Sequence, residues 1–498
     1  MRLLTLGLGL SSFMWAWACS STTENTPSST GGAAGSGGGP SGGIGGMGGS
    51  SGASGGSAGA TGGAAGDGGG AVPAAPALKE THVIPGGGGH HVSDATISPS
   101  NGNVSVLGYG STGAGYETFI AQLKSGQATE LPRRSFTSSA QVFGEGLVEG
   151  GNGALFLSGF FAKDVTVGSK TFTDPSGWGG FVTRLTPGSS GDVVDGLAMV
   201  GNGNQSFWGN ARLGSGVVSV GIVLNGTTLH GQQIITDAAG DAIVSMEFDG
   251  QPQGKHAMFS GAGAQRFYDV ATDSTPKLFA VGESPAVGPP LQVIGNGTLQ
   301  LATVVAYDSS LKMLWARGLG SAGDDSFLDV AVNASGTQVV AAGQAKGAVD
   351  LGSGAPLPNH GGEDVFVAAF DASGNLTWAR TFGGGADDRA YSVAIDGEGD
   401  VWVGGSVKSA TIDFGPAELA KQGDEDGFLL RLDPSGNVRF ASLFGGAGAD
   451  TMSALAAAGN RVVAVGKFAG KFEFLGAPVA AVSANPNVFD FAVLDLVP

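Results

Sequence analysis

An all-β chain built from seven four-stranded antiparallel units is what this sequence predicts, and three observations predict it. An aromatic or aliphatic residue on an alternating strand recurs at Phe119, Phe181, Ile243, Thr303, Phe366, Phe428 and about Phe489, a spacing of about 62 residues. Turn signals of the Asp-x-Ser-Gly-Asn kind punctuate the same intervals, at 371–375 and 433–437. Nowhere is there a sustained apolar period of 3.6, so little helix is expected.

The chain opens differently. Residues 1–18, MRLLTLGLGLSSFMWAWA, join a basic Arg2 to an apolar run too short to span a bilayer comfortably, as an export signal does. Ala16-Trp17-Ala18-Cys19-Ser20 follows, and Cys19 is the chain's single cysteine. The segment resembles the lipobox of bacterial lipoproteins, with Trp17 bulkier than that pattern has there. The resemblance implies that Cys19 becomes the lipidated first residue and that Ser20 favours sorting to the outer membrane, facing the periplasm or the cell surface. Two or three acyl chains would anchor stably. With Cys19 consumed, no disulfide is available and stability rests on the core.

Residues 19–77 are Ser and Thr, then Gly, Ala and Ser, ending in a Pro-Ala run. Such a composition buries too little apolar surface to offset its ordering entropy, so a disordered tether with a reach of roughly 40 Å is expected. Two G-x-S-x-G matches fall in it, at 39–43 and 52–56, without the strand and helix a nucleophile elbow needs. Composition also limits the partners. The 93 glycines follow no G-x-y period, which excludes collagen. A net charge of −18 argues against nucleic-acid phosphate and anionic membrane surfaces.

Residues 78–498 carry the repeat. In the clearest unit, 391–395 alternates as a first strand, 397–400 turns, and 401–405 is a β-branched second strand. A longer excursion ends in charge, 428–432 forms the third strand, and 438–443 the fourth after an Asp-Pro-Ser-Gly-Asn turn. The last unit ends with its third strand, whereas 78–84 matches a fourth strand followed by a Gly-rich link. The missing strand therefore stands at the front. Pairing it with the strand near 489–495 closes a ring of units and removes exposed edges, which makes a closed seven-bladed β-propeller the expected architecture. The chain resembles the SBBP-type seven-bladed propeller repeats of bacterial surface and secreted proteins. The carrying motifs are Gly-Asp-Asp at 323–325, Ala-Asp-Asp at 386–388, the Asp-x-Ser-Gly-Asn turns, and Trp-Ala-Arg at 315–317 and 378–380. That resemblance implies a propeller and no particular activity.

Meanders put alternate connections on opposite faces. The links between units and the excursions between second and third strands thus share one face, with Asp324, Asp325, Asp387, Asp388, Asp450, Glu363, Asp364, Asp424, Glu425 and Asp426 on it. Two readings follow for these acids. They form a rim able to hold a hard cation such as Ca2+ or attract a basic partner, or they cap turns by accepting backbone N–H groups. Trp315 and Trp378, with Phe440 at the matching place, are expected to pack between units. Trp178 and Trp208 depart from the repeat and are expected on first-face connections, able to stack on a sugar or peptide. His90-His91 reads as a solvated loop.

No HExxH, P-loop, paired-cysteine or Rossmann pattern occurs. Three function classes remain: a tethered, monomeric binding or scaffold module for a protein or glycan partner, with a cation-dependent adhesion protein as a variant of it; a sialidase-like propeller hydrolase acting on glycans; and a quinone-dependent propeller dehydrogenase. The Asp-x-Ser-Gly-Asn-x-x-Trp hairpin hints at the second and tryptophan on the fourth strand at the third. The module needs only the face and the tether, and no catalytic residue is assigned.

Overall fold

The computed structural model describes residues 75–497, apart from 87–89, 113–114, 127–129, 151–152, 168–169, 188–192, 202–204, 225–226, 230–231, 235, 237–238, 249–253, 287–290, 353, 416–417 and 483–487. Cys19, the signal segment and the tether to residue 74 lie outside the described residues. Every regular element among the described residues is a β-strand.

Sets of four antiparallel strands succeed one another along the chain. The first is His91–Ile97, Val104–Ser111, Tyr116–Leu123 and Glu130–Ser138. The second is Gln141–Glu149, Leu155–Val167, Lys170–Thr186 and Val193–Gly201, joined to the first through the pair Thr137 and Thr166. Gln205–Leu213, Gly216–Val223, Asp241–Glu247 and Lys255–Phe259 form the third, and Arg266–Thr272, Leu278–Pro285, Gln300–Tyr307 and Met313–Leu319 the fourth. Ser326–Val332, Val339–Ala345, Asp364–Phe370 and Leu376–Phe382 make the fifth. The sixth is Asp388–Ile395, Val401–Val407, Asp426–Leu432 and Val438–Phe444.

The last set is closed by the two ends of the chain. Thr451–Ala458, Arg461–Phe468 and Asp490–Val497 take Ala77–Ile84 as their fourth strand, with Leu78 opposite Leu496 and Ile84 opposite Phe491. The residue opposite Gly466 is Ala492, so the recurring third-strand position falls there and not at Phe489. The opening strands touch in cyclic order, each meeting that of the next sheet, and Thr451–Ala458 meets His91–Ile97. They therefore surround a common centre.

The apolar core is divided in the same way, because each buried cluster lies between two consecutive sheets. Val367, Phe382 and Val340 of the fifth pack on Val393, Val403 and Phe428 of the sixth, while Val463 and Phe491 of the last pack on Val92 and Val106 of the first. Trp315 and Trp378 serve these interfaces. Trp378 donates its indole N–H to the Pro434 carbonyl at 2.9 Å, and Trp315 donates to Ala372 at 3.2 Å, each bonding the Asp turn of the following sheet. Those turns are closed by Asp371 and Asp433, whose carboxylates accept N–H groups two and four residues on. Gly436, at φ +80°, lies under the Trp378 ring, where a methyl would come within 2.6 Å of the indole.

One irregularity repeats in every sheet. The opening strand carries a bulge, which falls at Ser93, Glu145, Trp208, Tyr268, Leu328, Tyr391 and Ser453. Opposite it the second strand has glycine: Gly108, Gly159, Gly221, Gly282, Gly343, Gly405 and Gly466. The bulge drives the carbonyl two residues before it into the space a Cβ would fill, closer than 3.0 Å in each case. The glycines of the second strands are thus a consequence of the bulges in the first.

Candidate functional site

The bulges matter because the opening strands ring the centre, and a bulge re-aims the side chains around it. Just after the bulge stand Asp94, Asp269, Asp329 and Ser392, and each accepts a hydrogen bond from the next sheet. Asp94 takes the Leu147 N–H at 2.7 Å, and Asp269 the Val330 N–H at 3.2 Å. Asp329 takes the Ser392 hydroxyl and the Val393 N–H, both at 2.7 Å, and Ser392 Oγ takes the Leu455 N–H at 3.0 Å. Where the second sheet has Gly146, its carbonyl accepts from Asn210 Nδ2 at 3.0 Å. Polar stitches thus link the first three sheets to one another and, in a second series, the fourth through the last.

These carboxyls are crowded. Burial pushes Asp94 up to about 8, the Leu147 N–H works against it, and Asp329 adds to the rise. Burial and then Asp94 push Glu145 to about 8 as well. Asp269 lies well above the ordinary range through burial and the Asp329 carboxyl to which it hydrogen-bonds; Asp329 rises through burial, against the bonds from Asp269, Ser392 and Val393. At neutral pH Asp94 and Glu145 are therefore held mainly as carboxylic acids. Asp94, Glu145, Asp269 and Asp329 nevertheless all keep partial access to solvent.

Toward the face of the links, two residues before each bulge, lies a second ring. On one side it is aromatic. His91 lies beside Tyr109 with centroids 5.6 Å apart, Tyr109 meets Phe143 edge-on at 4.9 Å, and Phe143 stacks on Phe160 at 4.9 Å. Trp178 completes this wall at 5.9 Å from Phe143 and 5.6 Å from Phe160. Burial, then Lys467 and His90, lowers His91 to about 4, so its ring is neutral at pH 7. On the other side the ring is polar. Arg266 pairs with Glu283, Arg389 pairs with Glu363 and reaches Asp387 at 3.5 Å, and Ser326 faces Gln344 across the sheet. Trp208 and Tyr268, both bulge residues, lie 5.3 Å apart between these arcs.

Trp178 and Trp208 thus depart from expectation. Trp178 lies within Lys170–Thr186, paired with Ala162, and Trp208 is a bulge in Gln205–Leu213; neither is on a connection. Leu155–Val167 and Lys170–Thr186 extend as one long hairpin where a looser excursion is expected, and Trp208 is itself the added residue of its bulge.

The acids of the links divide into two groups. Asp325, Asp388, Asp426 and Asp450 are buried and accept the N–H four residues back, from Ser321, Gly384, Gln422 and Gly446. Asp325, Asp388 and Asp450 also accept N–H groups after the second strand, from Lys346, Lys408 and Ala469. Burial raises Asp325 and Asp450 to about 6 against those bonds. Asp324 and Asp424 are exposed, and Asp387 is half-exposed beside Arg389. Among the described residues no group of three or more His, Cys, Asp or Glu is arranged to hold a metal ion. His90 is buried, bonded through Nε2 to Glu117 at 3.2 Å, where a solvated loop is expected.

The central ring escapes a reading of single strands, because a bulge exists only between two. Its signal is the pairing of a second-strand glycine with an Asp or Ser one residue beyond a break in alternation, as in Leu328-Asp329 with Gly343.

No family model matches the chain. Over 167 residues it is 30% identical to the regulatory protein FlaEY of Caulobacter vibrioides, a stretch covering 32% of this chain and 17% of that protein. The chain thus spans well under two thirds of the length of the curated relative it matches. Among solved structures it is similar to the phage phi92 endosialidase, with a TM-score of 0.38 and 8% identity over 83% of this chain and 67% of that one.

Proposed function

We propose that the chain is a seven-bladed β-propeller of SBBP type, lipid-anchored at Cys19 to the outer membrane, which works as a tethered binding module through the central funnel on its link face. The observation that carries the functional reading is the funnel itself, whose side chains differ from sheet to sheet while the sheets repeat. Aromatic rings face paired arginines and glutamates around one opening, and most of them keep partial solvent access. A scaffold alone has no need of this asymmetry. The closed cycle of opening strands and the seven inter-sheet clusters support the propeller reading.

A glycan array probed with the full-length, detergent-solubilised chain tests the module. Selective binding without turnover is expected; turnover favours the sialidase-like alternative, and silence directs the search to a protein partner. Calcium titrated into the same sample is expected to give no heat, because the most buried link carboxylates already accept N–H groups. Heat would revive a cation-dependent adhesion role. Labelling with an alkyne palmitate analogue, lost in Cys19→Ser, tests the anchor.

A further inference from the structure

The funnel's two arcs have different chemistry, and together they describe a ligand. His91, Tyr109, Phe143, Phe160 and Trp178 make a continuous aromatic wall from the first two sheets, in which His91 is neutral and no member carries a charge at pH 7. Beside it, Glu145 is a neutral acid able to donate as well as accept. The opposite arc is charged but internally balanced, since Arg266 is paired with Glu283 and Arg389 with Glu363. Such pairs offer donors and acceptors with little net field. Two buried polar atoms at this level have no hydrogen-bond partner among the described residues. Ser326 Oγ and Gln344 Oε1 sit on cross-strand neighbours that are 1% and 2% exposed. His90 Nδ1, next to the wall, is a third. An unpaired buried polar group costs about 1–3 kcal/mol, an outlay typical of sites that await a ligand.

A ligand matching this lining needs a flat apolar face, many hydroxyl groups and no net charge. An anionic ligand would meet a chain of net charge −18, and the arginines of the opposite arc are already neutralised by their glutamates, which leaves no unpaired charge there for an ionic ligand. We propose that the funnel binds an uncharged oligosaccharide, one sugar ring stacked on the Phe143–Trp178 part of the wall and its hydroxyls directed to Glu145 and to the Ser326–Gln344 arc. This rests on the binding-module reading and names its ligand class.

The test is isothermal titration of full-length chain in detergent with hexasaccharides of glucose and of N-acetylglucosamine, followed in parallel by tryptophan fluorescence. One of the two is expected to bind, with an affinity unchanged between 50 and about 500 mM NaCl, as an uncharged ligand requires. Trp178→Ala is expected to weaken binding roughly tenfold and Trp178→Phe much less, in line with the value of an aromatic contact. A circular dichroism melt identifies any variant that has lost its fold, and Ser326→Ala, which removes only the hydroxyl, gives a second reading where Trp178→Ala does not fold. Binding that ignores both Trp178→Ala and Ser326→Ala overturns the site. Binding that disappears at high salt overturns the uncharged class. No binding of either sugar overturns the inference, whereas the module reading then fails only if Arg389→Ala also leaves every array and protein-partner signal unchanged.

Discussion

Replacing Gly405 by alanine is the sharpest test of how the centre is built. A methyl at Gly405 would run into the Arg389 carbonyl, lie 2.6 Å from Phe428 Cε1 and 2.9 Å from the Ala390 Cα. Real Cβ atoms essentially never come within 3.0 Å of such neighbours, so the backbone has to move by about an ångström, and flattening the bulge at Tyr391 is the displacement that withdraws the Arg389 carbonyl. Overpacking of that kind costs about 1–3 kcal/mol. Flattening also pulls Ser392 and Val393 away from Asp329 and the Leu455 N–H from Ser392, three bonds worth about 1 kcal/mol each. Reduced freedom of the unfolded chain returns about 0.4–1 kcal/mol. The expected net loss is about 4 kcal/mol, read from guanidinium midpoints followed by tryptophan fluorescence. Gly385 is the control, because it is exposed and a methyl there meets nothing within 4 Å. If Gly405→Ala and Gly385→Ala unfold at the same denaturant concentration, the link between bulge and glycine is wrong.

Three further outcomes follow from the same geometry. Trp378→Phe, which loses the bond to Pro434 but keeps an aromatic over Gly436, is expected to cost about 1 kcal/mol, and Trp378→Ala about 3–5 kcal/mol, by denaturant melts. Asp94 and Glu145, raised to about 8, and Asp325 and Asp450, raised to about 6, retain protons in the native state that the unfolded chain releases near 4. Their stabilisation is full below about pH 4 and is lost as pH rises through 6 to 8, so unfolding midpoints should fall between pH 5 and 9, and Asp94→Asn should flatten that fall. Asp371 and Asp433 have lowered values and act in the opposite sense, but only below about pH 4, outside that window. Removing residues 77–84 strips Asp490–Val497 of its antiparallel partner and leaves an open edge, which should appear as oligomers in size-exclusion chromatography with light scattering.

The parts of this fold that can be read along the chain are those decided within a few residues. The turn at 433–437 is one, since Asp433, Ser435 and Asn437 supply both ends of its hydrogen bonds. The pairing of chain ends is another, because a displaced fourth strand keeps its local pattern. The link aspartates were half legible. Asp388 and Asp450 follow a glycine four residues back, a local sign of the N–H they accept, but nothing local separates them from their exposed neighbours Asp387 and Asp424. What could not be read is the centre. Phe327-Leu328-Asp329-Val330 shows no more than a break in alternation, and the extra residue that turns Asp329 toward the next sheet is defined only against Val339–Ala345 across the ladder. Trp208 was misplaced for the same reason.

The regular and irregular sheets differ in a way that bears on function. In the fourth, fifth and sixth sheets the residue after the bulge is Asp269, Asp329 or Ser392, and each is occupied in stitching to its neighbour. In the second and third sheets that residue is Gly146 or Gly209, with no side chain to stitch. A methyl at Gly146 would strike the backbone at Trp208 and Asn210, and one at Gly209 would strike Asp269, so these sheets come together by direct backbone approach. The aromatic wall and Trp208 lie in this part of the ring. The buried inter-sheet clusters continue there without a break, from Leu107 and Phe161 to Phe156 and Ile243. Random decay of a repeat would erode packing and lining alike. Here the lining has changed in the second and third sheets while the packing persists, so the loss of the side-chain stitch there is not part of a general erosion of the repeat.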